Sequence, residues 1–232
     1  MKTMILAAGR GERMRPLSDA TPKPLLPAGG KPLVAWQIER LVAAGFHDLV
    51  LNVAHHGDDI EAALGDGAKF GATIRYSRER EPLEVAGGIA TALPLLGEGV
   101  ALVVSGDIHT DYDYATLRAR VRVMAASPEA PHMHMVMVPN PAYHPGGDFV
   151  LVSGKLALEG EPRSTFGNIA LYRTSLFREL PRGQKLRILP LYRDWIGRGW
   201  ATGEMFTGRW SNIGTPDDLA DLDRMLRSTI DQ

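Results

Sequence analysis

The residues best suited to chemistry crowd near the start of the chain. The stretch "ILAAGRGERMRPLSDATPKPLLP", Ile5 to Pro27, holds Gly9 and Gly11, three arginines (Arg10, Arg13, Arg15) and Lys23. Glycines let backbone N–H groups approach a ligand closely and adopt anion-binding turns. Arg13 and Lys23, with Arg15 a further candidate, add full positive charges. Lys23 stands between Pro22 and Pro24, whose restricted backbones fix where its ammonium points. That combination suits phosphate, although a solvated turn kept soluble by its charges has the same composition. The loop is not a Walker A motif, since no G-x-x-x-x-G-K-[ST] string occurs. It also fails the G-x-G-x-x-G dinucleotide pattern, because Met14 occupies the third glycine position. A second candidate is Asp107, which follows the apolar run "VALVV" and suits either a hard cation or a turn. Two histidine groups, His55-His56 and His132-Met133-His134, lack a third ligand at zinc-like spacing and read as structural. Met133, Met135 and Met137 alternate as a core face would, and Trp195 and Trp200 read as packing aromatics.

These residues need elements to position them. Short apolar runs ("TMIL", "DLVLNVA", "ATIRYS", "VALVVSGD") alternate with helical patterns ("PLVAWQIERLVAAG", "DDIEAAL", "AGGIATALPLL"). This alternation predicts an α/β fold with a Rossmann-like, doubly wound, mostly parallel sheet. Asp111 and Asp113 are read as turn and N-cap residues for "YATLRARV". The second half brings strand candidates "HMHMVMV", "DFVLV" and "NIALY", then helices at "ILPLYRDWIGRG" and "TPDDLADLDRMLRS". The expected organisation is one domain over 1–232: a first part over 1–130, a smaller lobe over 131–210 that shapes a substrate pocket, and a C-terminal helix in 211–232. Open α/β sheets bind ligands at the carboxyl ends of their strands, which is where Asp107 falls.

Composition removes several classes. The 232 residues are 44% hydrophobic and 23% charged, with 26 Lys plus Arg against 27 Asp plus Glu, so nothing in the charge points to nucleic acid. With no cysteine there is no disulfide, thiolate metal site or cysteine nucleophile. The apolar start ends at Gly9, too soon for a signal sequence, and no run is long enough for a membrane span. The expectation is a cytoplasmic protein without a membrane partner; a homo-oligomer is compatible with the sequence.

The string "LAAGRGERMRPLSDATPKPLLPAGGKPLV" resembles the signature of the sugar-1-phosphate nucleotidyltransferases, carried here by Gly9, Gly11, Arg13, Thr21, Pro22, Lys23 and Pro24. The resemblance extends through "EPLEVAGGI", "VSGDIHTDYDY", "HPGGDF" and "RWSNIGTPDDL", nearly the whole chain. Among the branches, the chain is most similar to the N-acetylmuramic acid α-1-phosphate uridylyltransferases. The resemblance implies attack of a sugar 1-phosphate oxygen on the α-phosphorus of UTP, with Mg²⁺ and release of pyrophosphate. It places the nucleotide against Leu6, Ala7, Ala8, Gly9, Gly11, Arg13 and Lys23, and its base near Glu84, Gly87 and Gly88. It places the sugar phosphate near Ser105, Gly147, Glu159 and Asn168. Arg13, Lys23 and Asp107 become the catalytic set, and Asp107 and Asn212 the metal set. Relatives usually carry Asp where Asn212 stands, and an amide oxygen brings no negative charge. Guanylyl transfer to mannose 1-phosphate and thymidylyl transfer to glucose 1-phosphate are the alternatives in chemistry. A catalytically weak nucleotide-sugar-binding regulatory module is the alternative in class.

Overall fold

The computed structural model describes residues 1–230. In chain order the first half contains β1 (Lys2–Leu6), α1 (Leu17–Ala20), β2 (Pro27–Ala28), β3 (Lys31–Pro32), α2 (Leu33–Ala43), β4 (Asp48–Val53), α3 (Gly57–Leu64), β5 (Thr73–Arg78), α4 (Glu84–Leu96), β6 (Val100–Ser105), β7 (Ile108–Thr110) and α5 (Leu117–Ala126). The second half contains β8 (Met133–Val138), β9 (Phe149–Val152), β10 (Lys155–Ala157), β11 (Arg163–Arg173), α6 (Leu189–Gly197), β12 (Ala201–Met205), β13 (Trp210–Asn212) and α7 (Pro216–Ile230). The last two residues of the expected C-terminal segment, 231–232, lie outside the described residues.

One sheet of nine strands runs in the order β5-β4-β1-β6-β11-β8-β12-β10-β9. The quartet β5-β4-β1-β6 is parallel throughout. Beyond it β11 joins β6 antiparallel, β8 and β12 pair in parallel, and β9 and β10 add an antiparallel edge. The sheet is thus parallel where the sequence alternates strand with helix and mixed in the second half.

Period-2 alternation sends side chains to both faces, and helices cover each. Ile5, Leu102, Val104 and Val136 face a core shared with Val34, Ile38 and Leu41 of α2, Ile60 of α3 and Leu117 of α5. Their neighbours Met4, Val103, Met133, Met135 and Met137 face the opposite core, built with Ile89 and Leu96 of α4 and Trp195 of α6. All three methionines of β8 are fully buried, the packing role their alternation suggested. A third cluster docks Leu219, Leu222 and Leu226 of α7 onto Leu26, Ala28 and Leu33. His134, buried on β8, bonds Thr202 and Glu204, a structural role. Among the described residues no group of three His, Cys, Asp or Glu is arranged to hold a metal.

Candidate active site

Parallel pairing fixes the site. Leu6, the last residue of β1, is level with Asn52 of β4 on one side and Ser105 of β6 on the other. All three strands end at the same edge, and the chain leaves β1 into the glycine loop there. The resulting cleft has a volume of about 720 Å³ and is lined by Leu6, Ala8, Gly9, Arg10, Gly11, Glu12, Arg13, Lys23, Asn52, Ser105, Asp107 and Gly214, with Glu79 and 81–85 on another side and Lys185.

The loop needs its glycines for different reasons. Gly11 has φ +64°, and a Cβ there would lie 3.0 Å from Cβ of Lys23. Its carbonyl accepts from the Met14 N–H and the Ser18 hydroxyl, both at 2.8 Å, which closes the turn that carries Arg13. Gly9 lines the cleft, and a Cβ there would meet nothing within 4 Å apart from its chain neighbours, so the space beside it is open.

Lys23 donates to Oδ2 of Asp107 at 2.5 Å; its side chain is 11% exposed and that of Asp107 33%. Asp107 is held from behind as well, its backbone carbonyl accepting from Ile213 N–H at 2.8 Å. That bond extends the β7–β13 pairing, which sets Asn212 opposite Ile108. Asn212 is therefore delivered beside Asp107 by strand register. The cleft itself offers one carboxylate, Asp107, with the Asn212 amide on the adjoining strand, too sparse for a metal cage made of protein alone. It does fit Mg²⁺, which keeps several waters and is commonly held through one or two carboxylates plus substrate phosphates.

Arg13 lies over Gly214: a Cβ there would be 3.3 Å from both Nη1 and Nη2. Gly214 is fixed by the start of α7. Oδ2 of Asp218 accepts from Gly214 N, Thr215 N and Thr215 Oγ1, while Asp218 N donates to Thr215 Oγ1, a reciprocal capping box with Pro216 at the first helical position. From the loop before β9, the Tyr143 hydroxyl meets the Asn212 side chain, within electrostatic reach of Arg13, Asp107 and Asp218.

A hydrogen-bonded chain builds the other wall. Ala7 N donates to Oδ1 of Asn52 (2.8 Å), Asn52 Nδ2 donates to Oε1 of Glu79 (2.8 Å), and Glu79 Oε2 accepts from Leu83 N (2.9 Å). Burial pushes the Glu79 carboxyl up, against the pull of its bonds to Asn52 and Leu83. Glu84, which opens α4 in the left-handed region at φ +61°, lines the cleft. Gly87 and Gly88 do not. A Cβ at Gly87 would sit 2.1 Å from the Gln184 carbonyl oxygen, and one at Gly88 would be 3.0 Å from both Asn52 Nδ2 and Glu79 Oε1. The structure gives these two glycines a packing task behind the wall.

Of the residues expected to hold the sugar phosphate, Ser105 borders the cleft. Gly147, at φ +60°, packs within its own lobe, where a Cβ would be 2.8 Å from Asn140 Oδ1. Asn168, at φ +57°, sits in the irregularity of β11 between Phe166 and Ala170. Trp210 of β13 donates to the neighbouring Gly167 carbonyl at 2.9 Å, linking that bulge to the strand that ends in Asn212. Glu159 is exposed after β10. Gly147, Glu159 and Asn168 lie outside the lining of the 720 Å³ cleft, as do Ala7, whose N–H is turned to Asn52, and Asn212.

Sequence reading passed over Asn52, Glu79, Tyr143, Lys185 and Gly214. A polar residue closing the apolar run "LVLNV" was a usable signal for Asn52. Glu79 was hidden in the charged string "RERE", and nothing local marks Lys185 or Tyr143.

A model of the nucleotidyl transferase family matches residues 2–142. An N-acetylmuramate alpha-1-phosphate uridylyltransferase from Neisseria meningitidis serogroup B is 45% identical over 219 residues, covering 93% of this chain and 94% of that protein. One of the same description from Caulobacter vibrioides is 34% identical over 226 residues, covering 92% and 91%. Among solved structures, a Bacillus anthracis chain assigned as a glucose-1-phosphate thymidylyltransferase, in complex with a sucrose, matches with a TM-score of 0.82 at 23% identity, covering 98% of this chain and 95% of that one. The last likeness shows the fold.

Proposed function

The chain belongs to the nucleotidyl transferase family, and within it we propose that it transfers a uridylyl group from UTP to N-acetylmuramate 1-phosphate, giving the UDP-sugar and pyrophosphate. The observation that carries the reading is the Lys23–Asp107 pair, set at the strand-end edge beside a glycine loop that leaves room for phosphate. The nearly full-length match to uridylyltransferases supports the choice of substrates.

In this reaction an oxygen of the sugar phosphate bonds to the α-phosphorus as the bond to the pyrophosphate oxygen breaks. No protein nucleophile is required, so the protein's share is positioning and charge. Backbone N–H groups of residues 8–11 hold the triphosphate, with Leu6 and Ala8 forming the floor and Ala7 tied behind it to Asn52. Arg13, braced on Gly214, takes the departing pyrophosphate. Lys23 exchanges the Asp107 carboxylate for phosphate oxygens at the reacting centre. Glu84 and the Asn52–Glu79 wall face the base. Family members generally use a divalent metal ion; we take it to be Mg²⁺, which Asp107 would hold with Asn212 beside it and which would supply positive charge at the reacting phosphates. Residues 1–130 then serve mainly the nucleotide and 131–210 mainly the sugar. No described helix is long and apolar enough to cross a membrane, in keeping with a cytoplasmic enzyme.

A matrix of four nucleoside triphosphates against several sugar 1-phosphates, read by pyrophosphate release, tests the proposal. UTP with N-acetylmuramate 1-phosphate is expected to be fastest. A preference for GTP with mannose 1-phosphate, or dTTP with glucose 1-phosphate, would overturn the substrate assignment. The neutral Asn212 favours one other reading, a nucleotide-sugar-binding regulatory module. Binding of nucleotide without pyrophosphate from any pair would establish that instead.

A further inference from the structure

The cations of the cleft are unevenly placed. Arg10, Arg13 and Lys23 all come from one short segment along the glycine-loop wall. The fourth, Lys185, reaches the cleft from a different part of the chain, the segment between β11 and α6. Its side chain forms no hydrogen bond or ion pair among the described residues, and it is exposed.

The backbone beneath it is anchored at several points. Leu186 N donates to the Leu83 carbonyl at 2.9 Å, and the Leu186 carbonyl accepts from Ala86 N at 3.1 Å and Gly87 N at 3.3 Å. Two residues before Lys185, Gly183 N donates to Thr91 Oγ1 at 2.9 Å. Gln184 fits because Gly87 lacks the Cβ that would strike its carbonyl. The Lys185 Cα is therefore held against the N-terminal turns of α4, and only the side chain must be ordered when it meets an anion.

We propose that Lys185 receives an anionic oxygen of the second substrate, a phosphate or carboxylate group on the sugar, and so sets affinity for the acceptor rather than for the nucleotide. This rests on the reading of the cleft as a sugar 1-phosphate nucleotidyltransferase site. The reaction brings two anions together, and the three cations of the 10–23 segment line the wall assigned to the triphosphate. The incoming sugar phosphate needs a cation of its own, and none of Ser105, Gly147, Glu159 and Asn168 is one. A muramate also carries a carboxylate, a second anion absent from N-acetylglucosamine. An ammonium on a fixed backbone can form charge-assisted hydrogen bonds to either group.

The test uses Lys185→Ala and Lys185→Arg in the intact protein. Initial rates are measured at saturating UTP over a range of N-acetylmuramate 1-phosphate, and calorimetry gives the affinities of N-acetylmuramate 1-phosphate and N-acetylglucosamine 1-phosphate independently of turnover. Loss of a hydrogen bond to a charged group predicts that Lys185→Ala weakens the acceptor about ten- to a hundredfold in KM and Kd. KM for UTP and the melting temperature should be unchanged, and Lys185→Arg should recover most of the affinity. Equal weakening of both sugar phosphates assigns the contact to the phosphate; weakening of the muramate alone assigns it to the carboxylate. Unchanged acceptor affinity, or a change in KM for UTP instead, overturns the proposal. If the unmodified protein prefers another sugar 1-phosphate, the substrate assignment falls. The same measurements with the preferred acceptor then judge Lys185 separately.

Discussion

Gly87→Ala separates two opposed effects whose sizes can be worked from the structure. Alanine replacing glycine inside a helix ordinarily stabilises, by about 1 kcal/mol. Here the new Cβ would fall 2.1 Å from the Gln184 carbonyl oxygen and 3.2 Å from Leu186 N. Both are backbone atoms and cannot swing aside as a side-chain tip would. The 183–186 segment must lift, and the three backbone bonds joining Leu186 to Leu83, Ala86 and Gly87 go with it. At about 1 kcal/mol net for each bond, the loss outweighs the helix gain by roughly 2 kcal/mol. For a chain of 232 residues, that lowers the melting temperature by about 4–8 °C. Thermal unfolding followed by circular dichroism reads the stability, and acceptor KM should rise with it because Lys185 lies in the displaced segment. Gly88→Ala is the internal comparison: its Cβ would meet the ends of the Asn52 and Glu79 side chains at 3.0 Å, so it should cost less stability and raise KM for the nucleotide. A Gly87→Ala protein as stable as the parent, or more so, would refute the reasoning.

Three further outcomes are expected. Lys23→Ala should lower turnover by ~10²–10³, the usual loss for one preorganised electrostatic partner; near-normal turnover in the folded variant would remove Lys23 from the reacting centre. Asn212→Asp should lower the Mg²⁺ concentration needed for half-maximal rate by adding a second anionic ligand beside Asp107; superimposable Mg²⁺ titrations would place residue 212 outside the metal site. Hydrogen bonds from His134 first, then Tyr112, hold the Glu204 carboxyl at about 2 against an ordinary 4.5. A depressed carboxyl contributes fully above 4.5 and loses its contribution as pH falls toward 2, so Glu204→Gln should flatten the fall in unfolding free energy across that window. Parallel curves in urea titrations would show that the network does not couple to folding.

Much of the first half was legible because β1, β4 and β6 are largely buried on both faces and read as apolar runs bounded by turns. β1, β4, β5 and β6 fall where "TMIL", "DLVLNVA", "ATIRYS" and "VALVVSGD" indicated. Strand pairing was harder to read. β12, "ATGEM", has too little hydrophobicity to announce itself, yet it pairs with fully buried β8. The short β7 and β13 are defined by each other and have no local signature. In the site, the loop residues Gly9, Gly11, Arg13 and Lys23 were readable because they are close in sequence. Lys185 and Tyr143 were not, since each reaches the site across a long sequence separation. Gly87 and Gly88 show the converse. Their small size was evident, but whether it admits a ligand, the Gln184 carbonyl or the Asn52 amide depends on what folding brings beside them.

The neutral residue at position 212 makes sense in the charge arrangement around it. Arg13 and Lys23 stand near Asp107 and Asp218, two cations against two carboxylates. Asp218 is committed to three donors at the start of α7, and Asp107 to Lys23. A third carboxylate at 212 would make this group of side chains net negative before any ligand arrived, opposing a triphosphate that is itself an anion. Asparagine keeps the strand register and the contact with Tyr143 while leaving the charges balanced. A divalent cation, on the proposed reading, would supply the further positive charge. On the same reading Asp107, paired with Lys23 in the structure, would be left to hold that cation once Lys23 turned to the phosphates. A single carboxylate would serve both partners because its lysine is already in place.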